Sequence, residues 1–291
     1  MSLVLQDAIT AIEHLYPRPT AMSWDRVGLV TGDPQQPVRS ILLAVDPTRA
    51  VIEEAVALGV DLLVTHHPLL LRGIHSVATT TAKGAILTRA IVADLAIYCA
   101  HTNADVADPG VSDALADACG LVDTTPLSVE EGQPLGRVGD LTRPVSLRAF
   151  AAHLASALPA APVGIRVSGD PDAQVCRVAV MGGSGDDRFA DARAAGADVY
   201  VTADLRHHPA LEAREEADGG TPYLIDAGHW ATEWLWLDSA RSRLLATFEA
   251  LDQATTVEVT ISTLRTDPWD FLVSADNPLD ATAHPTDGGP L

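Results

Sequence analysis

Apolar residues at Val4, Ala8, Ile9, Ile12 and Leu15 recur with helical spacing until Pro17 and Pro19, so residues 3–16 are predicted as a helix. Ser40–Val45 is a short unbroken apolar run. An amphipathic stretch from Arg49 to Leu58 follows, closed by Gly59, and then a second apolar run over Asp61–Thr65. That order predicts strand, helix, strand. It continues with a helix over Thr81–Ala93, a strand over Leu95–Ala100 and a helix over Val111–Cys119 with Gly120 at its C-cap. Strands that are apolar throughout, rather than alternating, belong in a parallel sheet covered on both faces, which predicts an α/β fold.

The pattern then repeats. Gly59-Val-Asp-Leu-Leu-Val-Thr65 matches Gly196-Ala-Asp-Val-Tyr-Val-Thr202, each after a strand and an Ala-rich helix, and His-His-Pro trails both strands, at 66–68 and again at 207–209. An internal duplication is therefore expected, giving two similar α/β lobes with a metal site between them. Residues 1–125 form the first lobe, with His66, His67, His101 and Asp105. Residues 126–175 read as a connecting region with a helix near Leu147–Leu158, and residues 176–276 as the second lobe, with His229 and Glu233. The tail 277–291, rich in Asp, Pro, Thr and Gly, is predicted to be disordered.

Composition narrows the function. With 39 acidic against 19 basic residues and a net charge of −20, the chain repels the phosphate backbone that dominates nucleic-acid affinity, so no nucleic-acid partner is expected. Cys99, Cys119 and Cys176 are odd in number and lack a Cys-x-x-Cys spacing, which suits neither a disulfide framework nor a thiolate zinc site. The Met1–Asp7 start has no basic segment of a secretory signal. The longest apolar stretch, Gly84–Ala100, is broken by Arg89 and Asp94 and falls short of the roughly 20 residues a bilayer needs. No membrane partner and a cytoplasmic location are expected.

Three clusters combine histidine with carboxylate. Thr65-His66-His67-Pro68 lies at the C-terminal end of a predicted parallel strand, where α/β sheets place ligands. In an extended chain the two rings point to opposite faces, so they are expected to diverge and to suit two metals better than one. Taken alone, such a dipeptide is more often one core and one surface histidine. His101-Thr-Asn-Ala-Asp105 follows another strand, and its Asp alone is more often a turn former. His229 and Glu233, four apart after Asp226-Ala-Gly228, share one helix face, which fits a metal helix and an exposed surface pair equally. Jointly, His66, His67, His101, Asp105, His229 and Glu233 supply nitrogen and oxygen donors for two divalent ions. Two ions about 3.5–4 Å apart can activate water, which makes hydrolysis the natural chemistry.

Weaker signals accompany these. Met181-Gly-Gly-Ser-Gly185 lacks the Walker lysine and reads as a tight strand-to-helix turn. His207 and His208, with Asp204, either approach the site or lie on a solvated loop. Trp230, Trp234 and Trp236 are core or subunit contacts.

Taken together, Ser23-Trp-Asp-Arg-Val-Gly-Leu29, Leu63–Leu69, His101–Asp105, Gly182–Gly185, Asp198–Thr202 and Asp226–Glu233 resemble the GTP cyclohydrolase I type 2 homologs, described as dinuclear-metal-centre proteins. The resemblance covers nearly the whole chain. It implies metal ligation by His66, His67, Asp105, His229 and Glu233, with His101 as a further contributor. This chain departs from the pattern at Ala203-Asp204, where Gly-Asp is usual, and its middle stretch is too short for the extra domain that some relatives carry. The family implies two similar lobes and a toroidal homohexamer whose metal sites face an internal cavity. The family name implies opening of the GTP imidazole ring, whereas other members look like metal-binding or metal-delivery proteins. The acidic field of this chain opposes a polyanion such as GTP. Two functions are therefore expected as alternatives. One is a metal-dependent hydrolase of a nucleotide or small heterocyclic or phosphate substrate, with Glu233 at the metal and His208 or Asp204 as proton shuttle. The other is metal delivery without turnover. The ligand set admits zinc, manganese, iron or nickel.

Overall fold

A computed structural model describes residues 3–251 and 257–273. The first lobe runs α1 (Leu5–Leu15), β1 (Gly28–Thr31), β2 (Ser40–Ala44), α2 (Arg49–Leu58), β3 (Leu62–Thr65), α3 (Ala82–Val92) and β4 (Ala96–Cys99). A single-turn helix α4 (Thr102–Asp105) and α5 (Val111–Cys119) follow. Next come β5 (Leu121–Thr125), a small hairpin of β6 (Ser128–Glu130) and β7 (Gln133–Leu135), and the long β8 (Arg137–Ser146). The second lobe continues with α6 (Leu147–Ala157), β9 (Arg166–Ser168), β10 (Gln174–Ser184), α7 (Phe189–Ala194), β11 (Val199–Ala203), α8 (His207–Glu216) and β12 (Tyr223–Asp226). The last described elements are α9 (His229–Trp234), α10 (Trp236–Leu251) and β13 (Glu258–Ile261).

The elements form two principal sheets, a five-stranded one in the order β1-β4-β3-β2-β13 and a six-stranded one in the order β5-β8-β10-β11-β12-β9. In the first, β13, β2, β3 and β4 are parallel and β1 is antiparallel at the edge. In the second, β10, β11 and β12 are parallel, with β9 antiparallel at the edge beside β12. The order α-β-β-α-β-α-β thus occurs twice, and in each run the first strand pairs antiparallel with the last.

Side-chain alternation explains the layers. Ile41, Leu43, Leu62, Val64, Ala96 and Tyr98 face α1 and α10, while Leu42, Leu63 and Ile97 face α2 and α3. In the second sheet Val178, Val180, Val199 and Val201 face α5 and α6, and Ala179, Tyr200 and Leu224 face α7 and α8. Helix α5 serves both sheets: Val111 packs in the first core, and Leu115, Ala116 and Cys119 in the second. Helix α2 shows how locally these elements are encoded. Thr48 caps it by accepting from the Val51 amide, and Gly59 ends it at φ +67°.

Two expectations change. Residues 126–175 do more than connect, because β8 and β9 are strands of the second sheet. The second lobe does not keep its end to itself, since β13 returns to pair with β2. Trp230 and Trp236 take the core position that was one of the two expected for them, beside α1, and among the described residues Trp24, Trp269 and Phe271 are exposed. The predicted tail 277–291 lies outside the described residues. Among the described residues no helix is long and apolar enough to cross a membrane.

Candidate metal centre

Four strand ends deliver the site. His66 and His67 follow β3, His101 follows β4, Asp204 follows β11, and His229 opens α9 after β12. His66 is fully buried. Its Nδ1 lies 3.1 Å from the carbonyl of Ala100, which can only accept, so Nδ1 carries the proton and Nε2 is turned inward. That Nε2 lies 3.5 Å from Glu233 Oε1 and 3.6 Å from Asp105 Oδ1, and among the described residues it has no hydrogen-bond partner.

His67 Nδ1 is 2.7 Å from Asp46 Oδ1, and its Nε2 is 3.0 Å from Glu233 Oε2 and 3.2 Å from His229 Nε2. His229 mirrors this arrangement, with Nδ1 2.8 Å from Asp204 Oδ2 and Nε2 2.9 Å from Glu233 Oε1. His101 Nδ1 sits 3.0 Å from Asp25 Oδ1, while the other Asp25 oxygen accepts from the Thr102 amide and hydroxyl. The expected divergence of His66 and His67 is therefore wrong: their ring centroids are 5.1 Å apart and both face Glu233. The physical reason is that β3 ends at Thr65, so both histidines lie on a bend where strand alternation no longer applies.

The electrostatics follow from the packing. Burial opposes charge on His67, but Glu233 and Asp46 overcome it and raise its pKa to about 10. Burial likewise opposes charge on His229, and Glu233 with Asp204 raises it to about 11. Burial pushes Glu233 up, yet the surrounding His67, His66 and His229 hold it well below the usual carboxylate range. Asp105 goes the other way, because desolvation outweighs the pull of His66 and His101. Burial also acts upward on Asp25, where hydrogen bonding and charge from His101, together with Thr102, reverse it.

All six expected ligands come together. The donor atoms of His66, His67 and His101 lie within 4.8 Å of one another, as do those of His67, His229 and Glu233. Asp105 joins through His66. An unpartnered buried imidazole nitrogen beside buried carboxylates is what a divalent cation would complete, so these residues fit a metal. Asp204 is present as the partner of His229. His208 is not at the site: three residues, 204–206, separate β11 from the His207–His208 pair and carry it onto α8. Among the described residues no hydrogen bond or ion pair joins His208 to the six. Asp46 is a site residue that sequence patterns did not single out, and Asp-Pro after an apolar strand reads only as a turn. Gly183 is also required here. It has φ +67°, and a Cβ on it would lie 2.3 Å from Glu233 Oε1.

A cavity of about 520 Å³ opens onto the Nε2 side, lined by Trp24, His67, His101, Asp105, Arg188 and Glu233. A second, of about 920 Å³, reaches His67 and His229 from the side of Asp46 and Asp204. Fold and site together define a two-sheet α/β protein with a buried histidine–carboxylate cluster that could hold a metal ion. The chain belongs to the Duf34/NIF3 (NGG1p interacting factor 3) family, whose sequence profile matches residues 3–268. It is 49% identical over 277 residues to a Streptomyces coelicolor protein named GTP cyclohydrolase 1 type 2 homolog, covering 93% of this chain and 95% of that one. A Mycobacterium tuberculosis protein of the same name is 34% identical, over 93% of this chain and 98% of the relative. Among solved structures, a Bacillus cereus protein related to NIF3 superposes with a TM-score of 0.85 at 27% identity, covering 94% of this chain and all of that one. Reduced HcgD from Methanocaldococcus jannaschii gives 0.72 at 29%, over 91% of this chain and 99% of that one.

Proposed function

We propose that the chain binds two divalent cations, held by His66, His67, His101, Asp105, His229 and Glu233, and uses them for hydrolysis of a nucleotide or other small heterocyclic or phosphate substrate. The observation that carries this reading is the buried, unpartnered His66 Nε2 facing two carboxylates, Asp105 and Glu233. Divalent ions supply Lewis acidity and activate water near neutral pH. The chain's own residues do the rest. Asp46, Asp204 and Asp25 orient three imidazoles, and Glu233 presents its oxygens to different histidines. Asp204 is the remaining candidate for moving a proton, since it contacts His229 from the half-exposed side. The relatives' name makes ring opening of GTP the first substrate to test. The recurring element order suggests that the two lobes arose by duplication, and the reading includes a homohexamer acting in the cytoplasm.

A second reading, metal delivery without turnover, is favoured by a different observation. Arg188, the arginine lining the smaller cavity, is already paired with Glu130, Asp187 and Asp191, which leaves little positive charge for a polyanion. Metal analysis of the purified protein, followed by a formate-release assay with GTP and a phosphoester and amidohydrolase panel under each metal, separates the two. Turnover that tracks metal content supports the enzyme. Retained fold, no turnover and rapid transfer of the ions to an acceptor protein support delivery.

A further inference from the structure

The parallel Ile261↔Leu43 pairing of β13 with β2 sends two chain segments side by side out of the same end of the sheet. One carries Asp46 and the other Thr266. Thr266 Oγ1 donates to Asp46 Oδ2, and Asp46 Oδ1 accepts from His67 Nδ1 at 2.7 Å, so a residue 220 positions from Asp46 is joined to a metal-facing imidazole. The segment bearing Thr266 is itself fixed: Ser262 Oγ donates to Glu54 at 2.5 Å, Trp234 Nε1 donates to the Ser262 carbonyl at 3.2 Å, and the Trp269 amide donates to the buried Asp267 at 2.9 Å. The same three-part arrangement recurs at the other end of the site, where Thr102 donates to Asp25 and Asp25 accepts from His101.

From this geometry we infer that Thr266 and Asp46 are positioning residues, which fix the ring of His67 so that its Nε2 is presented to a bound cation. An ionised carboxylate is acceptor-only, so with one oxygen taken by the threonine hydroxyl the other is aimed at Nδ1–H. The imidazole is then held in the tautomer whose lone pair lies on Nε2, toward Glu233 and His229. The C-terminal segment is in this way part of the metal site although it supplies no ligand. The inference rests on the metal reading above.

The test uses the full chain, with cobalt(II) as the probe and chelator competition as the affinity measurement. Thr266→Val keeps the side-chain shape and removes the hydroxyl. It is expected to weaken cobalt binding toward the lower end of the about 10–100-fold range typical of partners behind a metal ligand, and to shift the visible absorption bands. Thr266→Ser restores the hydroxyl and is expected to restore both. Asp46→Asn is expected to lose at least as much as Thr266→Val. If Thr266→Val matches wild type in affinity and spectrum, or if Ser weakens binding as much as Val does, the positioning role is overturned while the metal site stands. A wild-type chain that takes up no cobalt overturns the metal site itself.

Discussion

His67 Nε2 and His229 Nε2 stand 3.2 Å apart, although 162 positions separate them in sequence and each comes from a different sheet. Each ring is held from behind by its own carboxylate, Asp46 or Asp204. At that separation either one ring donates to the other or both lone pairs face a shared cation. The carboxylates at both backs keep the rings from turning away, so the close pairing is built into the fold.

This contact sets a pH dependence. In the metal-free chain Glu233, with Asp46 and Asp204, raises His67 and His229 to about 10 and 11, so near pH 7 the pair holds an extra proton, which one Nε2 donates to the other. A cation needs the neutral imidazole, and binding must therefore expel protons; apparent affinity rises as pH rises toward those values. Isothermal titration in two buffers of different ionisation enthalpy is expected to show net proton release at pH 7. Buffer-independent heats would contradict it.

Gly183→Ala is expected to damage the site, because its Cβ would lie 2.3 Å from Glu233 Oε1. Gly59 supplies the control: it has the same φ of +67° but nothing within 4 Å of an added Cβ. Both substitutions should cost about 1 kcal/mol of backbone strain. Only Gly183→Ala should also weaken metal binding, by tenfold or more on the scale of disturbed metal-site partners. Equal affinities in the two variants would show that the glycine serves the turn alone.

Much of the site was legible because local patterns carry it. His101 and Asp105, like His229 and Glu233, sit four apart after the last strand of each α-β-β-α-β-α-β run, and strand ends are where α/β ligands gather. The recurring element order was also legible, though the His-His-Pro trailer misled. Aligning Thr65 with Thr202 places His67 opposite Asp204, not opposite His208. Asp46 and Thr266 were hidden because their role depends on the β13–β2 pairing, a contact that no local pattern encodes. The strands of residues 126–175 were missed for a related reason. They are short or exposed, as in Arg166–Ser168, and lack the apolar run that marked β3.

In solution a hexamer is expected, at six times the 30.6 kDa chain mass. Trp24 and Trp269, each more than half exposed, flank the two cavities, and Phe271 and Leu272 lie open beside Trp269. Apolar surface of this kind marks association. Light scattering at micromolar concentration measures it directly, and a stable monomer would remove the hexamer from the proposal.

Asp105→Ala should lower bound metal sharply, since Asp105 faces the unpartnered His66 nitrogen. The loss should exceed the about 10–100-fold cost of removing a mere partner of a ligand. Elemental analysis under metal-replete conditions measures it. A wild-type stoichiometry that stays below one ion per chain would rule out the dinuclear arrangement.

Glu233→Gln is expected to abolish hydrolysis and leave the fold intact. Glu233 is buried, and removing its charge would be costly if the histidines around it stayed protonated. They need not: Glu233 is a principal cause of the raised pKa of His67 and His229, so both lose part of that support with its charge and can become neutral. The amide nitrogen of the glutamine can instead donate to the lone pair of a neutral His229 Nε2, which lies 2.9 Å from Glu233 Oε1. Core packing should be unaffected, because the apolar clusters that hold α9 run through Trp230 and Ala231 rather than through Glu233. The variant should therefore match the wild-type circular dichroism and unfold cooperatively, with metal binding and turnover both lost. If turnover persisted at the wild-type level in metal-loaded Glu233→Gln, the carboxylate would not be the shared ligand on which the proposed chemistry depends.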